Sequence, residues 1–277
     1  MRPLERIEPK PGLVVYRSAL LASHGFAHAF STRHGGVSAA PFDSMNLGIA
    51  NAPGEPDTDA NVAANAARLM EAIGAGDARM VRVRQVHGCA VHACVPGPGP
   101  ATAAAEADAV VSGNASQAAC VRTADCVPVL VACPDTGAVA AIHAGWRGIV
   151  AGVVAKAVGE LALRHGCRTS ALLAAIGPCI GRDVYEVGPE VAGEFAASVG
   201  ACFVLPAHEG RPREHIDCFG AVRSQLLACG LAQDAIDGAE LCTVRTPDFF
   251  SHRRDGARSG RMGAVIVPRA GAAAPDQ

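Results

Sequence analysis

The clearest helical period in the chain lies at Val62, Ala66, Leu69, Met70 and Ile73, where apolar residues recur three and four positions apart. Asp57 or Thr58 is placed to cap this helix, and Gly74 and Gly76 to end it. Upstream, residues 26–56 are rich in turn formers, including His34-Gly35-Gly36 and Asn46-Leu47-Gly48, and read as ordered loops around short strands. Over residues 81–95 the pattern changes to alternation. Val81, Val83, Gln85 and His87 share one face, and Arg82, Arg84 and Val86 the other. Residues 96–100 form a Pro/Gly loop, 109–112 a short strand, and 118–133 a longer strand bent near Thr123-Ala124.

Pro134-Asp135-Thr136-Gly137 is a turn by composition, and residues 137–143 form the return strand. Gly145-Trp146-Arg147-Gly148 opens a helix that runs to about His165. Residues 172–176 make a buried strand, followed by a loop at 177–181. Helices are expected at 189–198 and 219–230, and strands at 241–243 and 263–267, with the polar segment 249–260 between those strands. Strands and helices mix without a regular βαβ rhythm, so an α+β fold with a large mixed sheet is expected.

The turn carries a consequence for chemistry. If residue 134 faces residue 137 in an antiparallel pair, Cys133 faces Ala138 and Pro128 faces His143. Cys126 lies two residues beyond Pro128 on the same face. Cys126 and His143 then become diagonal neighbours about 7–8 Å apart at the backbone. Sulfur and imidazole can share a metal or form a dyad across that distance. His87, at a strand end before Gly88, is the candidate third donor. Three protein ligands with one open position suit catalytic zinc, which lowers the pKa of a bound water toward ~7. Each residue alone has a bland reading, since a cysteine in an apolar strand is ordinarily core.

Asp108 and Asp125 flank the same region and could orient a histidine. Arg147, at a helix start, suits an anion, whereas Arg33-His34 reads by default as a solvated loop. The run His252-Arg253-Arg254-Asp255 reads by default as a solvated loop.

Composition narrows the class. The chain has 277 residues, half of them hydrophobic, with a formal net charge of -2. That is enough to bury a large core, and no basic block invites nucleic acid. Eleven cysteines occur without a CxxC pair, which fits a reducing compartment better than a disulfide framework. No signal peptide or apolar membrane span is apparent, so a soluble, cytoplasmic protein is expected.

Several motifs occur in one order: Ser31-Thr32-Arg33-His34-Gly35-Gly36-Val37-Ser38, Asn46-Leu47-Gly48, Gln85-Val86-His87-Gly88, Asp108-Ala109-Val110-Val111, Thr123-Ala124-Asp125-Cys126-Val127-Pro128 and His143-Ala144-Gly145-Trp146-Arg147-Gly148. Ile176-Gly177-Pro178-Cys179-Ile180, Tyr185-Glu186-Val187 and Phe249-Phe250-Ser251-His252-Arg253-Arg254 follow. This set resembles the family once called multicopper polyphenol oxidase, or laccase-domain, proteins and now described as purine nucleoside phosphorylases. The resemblance covers about residues 25–267 of a single domain spanning 1–277. It implies metal ligands at His87, Cys126 and His143, zinc with copper possible, and substrate contacts at Arg33, Asn46, Gln85, Asp125 and Arg147. It also implies phosphorolysis of adenosine, inosine and S-methyl-5′-thioadenosine, deamination of adenosine, and a fold similar to a deamidating toxin with a Cys-His dyad. Purine nucleosides and phosphate would be the partners, with no nucleic acid or membrane, in a monomer or small homo-oligomer. Some bacterial members are tied to removal of L-serine from a cell-wall precursor, which makes an amidase the alternative. A true multicopper oxidase is disfavoured, because none of the ten histidines forms a His-x-His pair and only Met45 of five methionines lies near a motif.

Overall fold

The computed structural model describes residues 1–48, 57–95, 102–238 and 240–269. An N-terminal hairpin, β1 (Glu5–Lys10) and β2 (Leu13–Arg17), leads through α1 (Ala19–Ser23) to β3 (His28–Ser31). Then follow α2 (Asp59–Ala72), β4 (Arg79–Arg84), β5 (Val91–Ala93), β6 (Thr102–Glu106), β7 (Ala109–Ser112), β8 (Gln117–Thr123), β9 (Val127–Ala132) and β10 (Val139–Ala144). The second half holds α3 (Trp146–Val150), α4 (Val153–His165), β11 (Leu173–Ile176), α5 (Pro189–Ser198), β12 (Val204–Leu205), β13 (His215–Ile216), α6 (Cys218–Ala228), β14 (Ile236–Gly238), α7 (His252–Asp255) and β15 (Met262–Ile266).

Two mixed sheets result. The outer sheet runs β1-β2-β3-β15-β8-β4-β6 and the inner sheet β14-β11-β9-β10-β7-β5. Period-two alternation sorts their side chains into three apolar layers. Ala119, Val121, Ala264 and Ile266 of the outer sheet meet Leu130, Ala132, Val139 and Ala141 of the inner one. The other face of the inner sheet (Val127, Val129, Val131, Ala140, Ile142) packs on α4, α5 and α6. The other face of the outer sheet takes Leu69 and Met70 of α2 against Ala29, Cys120 and Val265. Each fully buried Val, Leu, Ile or Met side chain among these contributes about 1.5–3 kcal/mol. The inner sheet is covered on both faces, which is why β9, and β10 up to His143, read as continuous apolar runs.

The predicted helix around Val62 is α2, and Thr58 caps it by accepting a hydrogen bond from the Asn61 amide. The 134–137 turn gives the expected register, with His143 opposite Pro128. Elsewhere the structure corrects the pattern. The alternation over 81–95 is not one strand: β4 stops at Arg84, and a loop carries His87 before β5 begins at Val91. The strand expected over 118–133 is two strands in different sheets, because the chain crosses between layers at 124–126, with Asp125 at φ 92°. The helix from 145 breaks at Gly152, whose φ of 76° interrupts it before α4. The strand expected at 241–243 is instead β14 at 236–238, with only a single bridge from Cys242 to Cys179. The 96–100 loop and residues 49–56 lie outside the described residues. Among those described, no helix is long and apolar enough to cross a membrane.

Candidate metal centre and its cavity

His143 points between the sheets from the end of β10, as alternation with Val139 and Ala141 requires. It is almost fully buried, and its Nδ1 lies 2.8 Å from Oδ1 of the fully buried Asp108. Burial pushes the Asp108 carboxyl up, but hydrogen bonds from His143 and the Gly88 amide outweigh this and hold it below its usual range. Asp108 is therefore an anion, so Nδ1–H donates to it and Nε2 is left facing the cluster. The same carboxylate accepts the backbone N–H groups of His87 at 2.9 Å and Gly88 at 2.6 Å. One aspartate thus fixes both a strand histidine and the loop that carries the other.

His87 sits at φ 60°, a left-handed conformation uncommon for a residue with a side chain. That turn aims its ring at His143, edge to face, with centroids 4.8 Å apart. Cys126 completes the group from the crossing between β8 and β9. The donor atoms of His87, Cys126 and His143 all lie within 4.8 Å of one another. Gly145 makes room for them: a Cβ there would stand 2.8 Å from Cδ2 of His87 and 3.2 Å from the Cys126 sulfur.

The electrostatics follow from this packing. Burial alone would raise the Cys126 thiol, but the positive charge of His143 and hydrogen bonds from His143 and His87 bring it down to about 6. Burial would depress His143, yet the Cys126 thiolate and the bond to Asp108 lift it to about 9. The metal-free centre is therefore a thiolate–imidazolium pair at neutral pH. One thiolate and two imidazoles form a donor set that fits a zinc or copper ion. Among the described residues this is the single cluster of such donors. Met45 is packed in the layer against α2, away from it.

The cluster opens on a cavity of about 600 Å³, whose walls include Gln85, Asp125, Trp146, Arg147, Tyr185, His252, and Arg122, Arg253 and Arg261. Among the described residues none of these four arginines pairs with a carboxylate. Arg147 lies over Trp146 at 4.4 Å, and Arg253 over Tyr185 at 5.2 Å.

The other residues singled out from sequence fall into two groups. Gln85, Asp125 and Arg147 line the cavity, whereas Arg33 and Asn46 are not among its lining residues. Arg33 is held by the Asp43 carbonyl and carboxylate and lies 4.9 Å from the Phe250 ring. Asn46 is buried, bonded to Asp57 and to the Arg261 amide. The Gln85 carboxamide grips the backbone of Arg122 at both ends, at 2.7 and 2.9 Å. Asp125 does not orient a histidine: its oxygens accept from Thr243 Oγ1 and the Arg253 amide, both at 2.6 Å. Sequence reasoning missed Arg122 and Arg261 and left Arg253 and His252 as a solvated loop. A signal existed for Arg122, the lone charge in the strand 117–123, directly after the apolar run 118–121.

Known proteins resemble this chain over nearly its whole length. Residues 27–269 match the family model described as multi-copper polyphenol oxidoreductase laccase. A purine nucleoside phosphorylase of Deinococcus radiodurans is 39% identical over 94% of this chain and 95% of its own. One from Streptomyces griseus is 40% identical over 92% and 98%. Among solved structures, YlmD from Geobacillus stearothermophilus superposes with a TM-score of 0.82 at 32% identity, covering 96% of this chain and 100% of that one. A hypothetical protein of Bacillus licheniformis, YfiH, has the same TM-score at 25% identity, covering 95% and 99%.

Proposed function

The chain belongs to the multi-copper polyphenol oxidoreductase laccase family, and from that premise we propose that it is a zinc-dependent purine nucleoside phosphorylase. Its substrates are adenosine, inosine and S-methyl-5′-thioadenosine, and it also deaminates adenosine to inosine. The observation that carries the reading is the His87–Cys126–His143 cluster opening on a cavity with arginines that meet no carboxylate among the described residues. A volume of about 600 Å³ lies in the range of small-molecule sites. The relatives' name supports nucleoside and phosphate as the ligands.

His87, Cys126 and His143 would hold the ion, which when bound supplies Lewis acidity and an activated water. In phosphorolysis a phosphate oxygen bonds to the ribose C1′ as the C1′–N9 bond breaks. The electron pair of that bond leaves with the purine, which takes up a proton. The arginine wall draws the dianion in and offsets charge as it shifts. Trp146 and Tyr185 offer aromatic faces for a purine. Deamination adds water to C6 and releases ammonia, and His252 on the cavity wall offers a proton to the departing amine. A single such cluster among the described residues, with one thiolate, argues for one ion rather than a multicopper centre.

The test is an activity screen of zinc-loaded protein with adenosine, with and without phosphate, beside a serine-containing muramoyl precursor. Phosphate-dependent release of adenine is expected. Rapid turnover of the precursor with negligible nucleoside activity would replace this reading with the amidase. Stoichiometric copper with phenol oxidation would replace it with the oxidase.

A further inference from the structure

Two polar motifs end on arginines rather than on the cavity space. Gln85 Nε2 donates to the Arg122 carbonyl at 2.7 Å, and Gln85 Oε1 accepts the Arg122 amide at 2.9 Å. Asn46 Oδ1 accepts the Arg261 amide at 2.9 Å, while the Leu47 amide donates to the Arg261 carbonyl, also at 2.9 Å. Gly48 then leaves room for the arginine itself: a Cβ there would lie 2.8 Å from Arg261 Cγ. Both arginines line the same cavity wall as the Cys126 cluster.

Their guanidinium groups are under-used. Each carries five N–H donors. Arg122 gives one terminal nitrogen to the Val83 carbonyl at 3.1 Å. Among the described residues Arg261 gives only Nη1, to the carbonyls of Ser259 and Gly260. Neither meets a carboxylate among the described residues, although both are half-buried. A Cβ on Gly48 would also lie 3.7 Å from Arg122 Cδ, so the two side chains flank the same point, and burial together with the charges of Arg82 and Arg261 holds Arg122 below its ordinary value. The backbone of each arginine is fixed by a dedicated amide side chain, and an anion between two half-buried like charges offsets their repulsion. A phosphate dianion presents the oxygens that two planar forks can bind.

We propose that Arg122 and Arg261 form the phosphate-dianion subsite of this cavity, with Gln85 and Asn46 as the positioning residues that set it. The assignment deepens the function proposed above and rests on it for the use of the bound phosphate. It moves phosphate away from Arg33 and Arg147, which lie on Asp43 and Trp146. The dianion is either free phosphate or the 5′ group of a nucleotide.

The experiment is calorimetric titration of the zinc-loaded full chain with inorganic phosphate and, separately, with AMP. Arg122→Gln and Arg261→Gln are each expected to weaken binding about tenfold or more, the range for a lost charge-assisted hydrogen bond. Arg261→Lys, which keeps charge and bulk, is expected to lose less and guards against a folding artefact. Arg168→Gln, which removes an equal charge from the exposed pair with Asp135, leaves affinity unchanged. Gln85→Ala is expected to raise KM for phosphate severalfold with kcat at saturating phosphate and KM for nucleoside unchanged, a split that general loosening of the fold does not give. A loss for phosphate identifies the free anion, and a loss for AMP alone identifies the nucleotide. Wild-type affinity for both ligands in both Gln variants overturns the proposal. Absence of phosphorolysis in the wild type is measured apart and sinks the functional reading instead.

Discussion

The two histidines of the centre are held in opposite ways. His143 belongs to a central strand, is almost fully buried, and points where β-sheet alternation sends it. His87 is exposed, lies in a loop and needs a left-handed backbone to face the same point. Asp108 joins them, accepting the side chain of one and the main chain of the other. The strand half is thus part of the core, and the loop half is an attachment whose geometry depends on it. Mutations should separate the two.

The largest effect is expected from Asp108→Ala. It leaves an imidazole and the amides of Val86, His87 and Gly88 without their acceptor. Breaking a buried charged pair costs about 3–5 kcal/mol, so chemical denaturation should show a loss of that size together with lost zinc. Next, His143→Ala should destabilise by about 3 kcal/mol, because it strands the Asp108 anion. His87→Ala should change stability by less than about 1 kcal/mol while still abolishing tight zinc binding. Equal stability losses in these two variants would break the comparison. Gly145→Ala presses a methyl group on His87 and on the Cys126 sulfur. The loop can yield and the hairpin cannot, so metal affinity should fall on the order of tenfold with little change in unfolding midpoint.

The smallest effect is a pH dependence of the metal-free protein. Cys126, brought down to about 6, favours the native state increasingly as pH rises through that value. His143, lifted to about 9, gives a contribution that is lost as pH rises through 9. The pair should therefore add stability chiefly between about pH 6 and 9, seen as a plateau in melting temperature that His143→Ala lacks. Alkylation of Cys126 by iodoacetamide should have a midpoint near pH 6, and a midpoint near 9 would show that the pair does not form.

The rigid half was also the legible half. A four-residue turn fixed the β9–β10 register, and two-residue periodicity then put Cys126 on the face of His143. The loop half was not, since nothing in local pattern announces that Gln85 and His87 leave the sheet after Arg84. Alternation continues across that point because Gln85 and His87 are the right parity for a strand they do not join. The 118–133 run hid the crossing for a related reason. Both sheets bury both of their faces there, so two strands in different layers look like one apolar stretch, and only Asp125 with its positive φ marks the joint. The arginines escaped notice because their partners, Gln85 and Asn46, are far away in sequence.

The crossing at 124–126 places the three donors on both sides of the sandwich. His87 follows β4 of the outer sheet, His143 belongs to β10 of the inner one, and Cys126 lies on the span between them. An ion held there is a clasp across the layers, so occupancy and folding become thermodynamically linked. At free zinc a thousandfold above its dissociation constant the native state would gain about 4 kcal/mol, and a chelator would lower the melting temperature accordingly. A thermal melt at rising zinc would then report the affinity of the centre without any substrate being known.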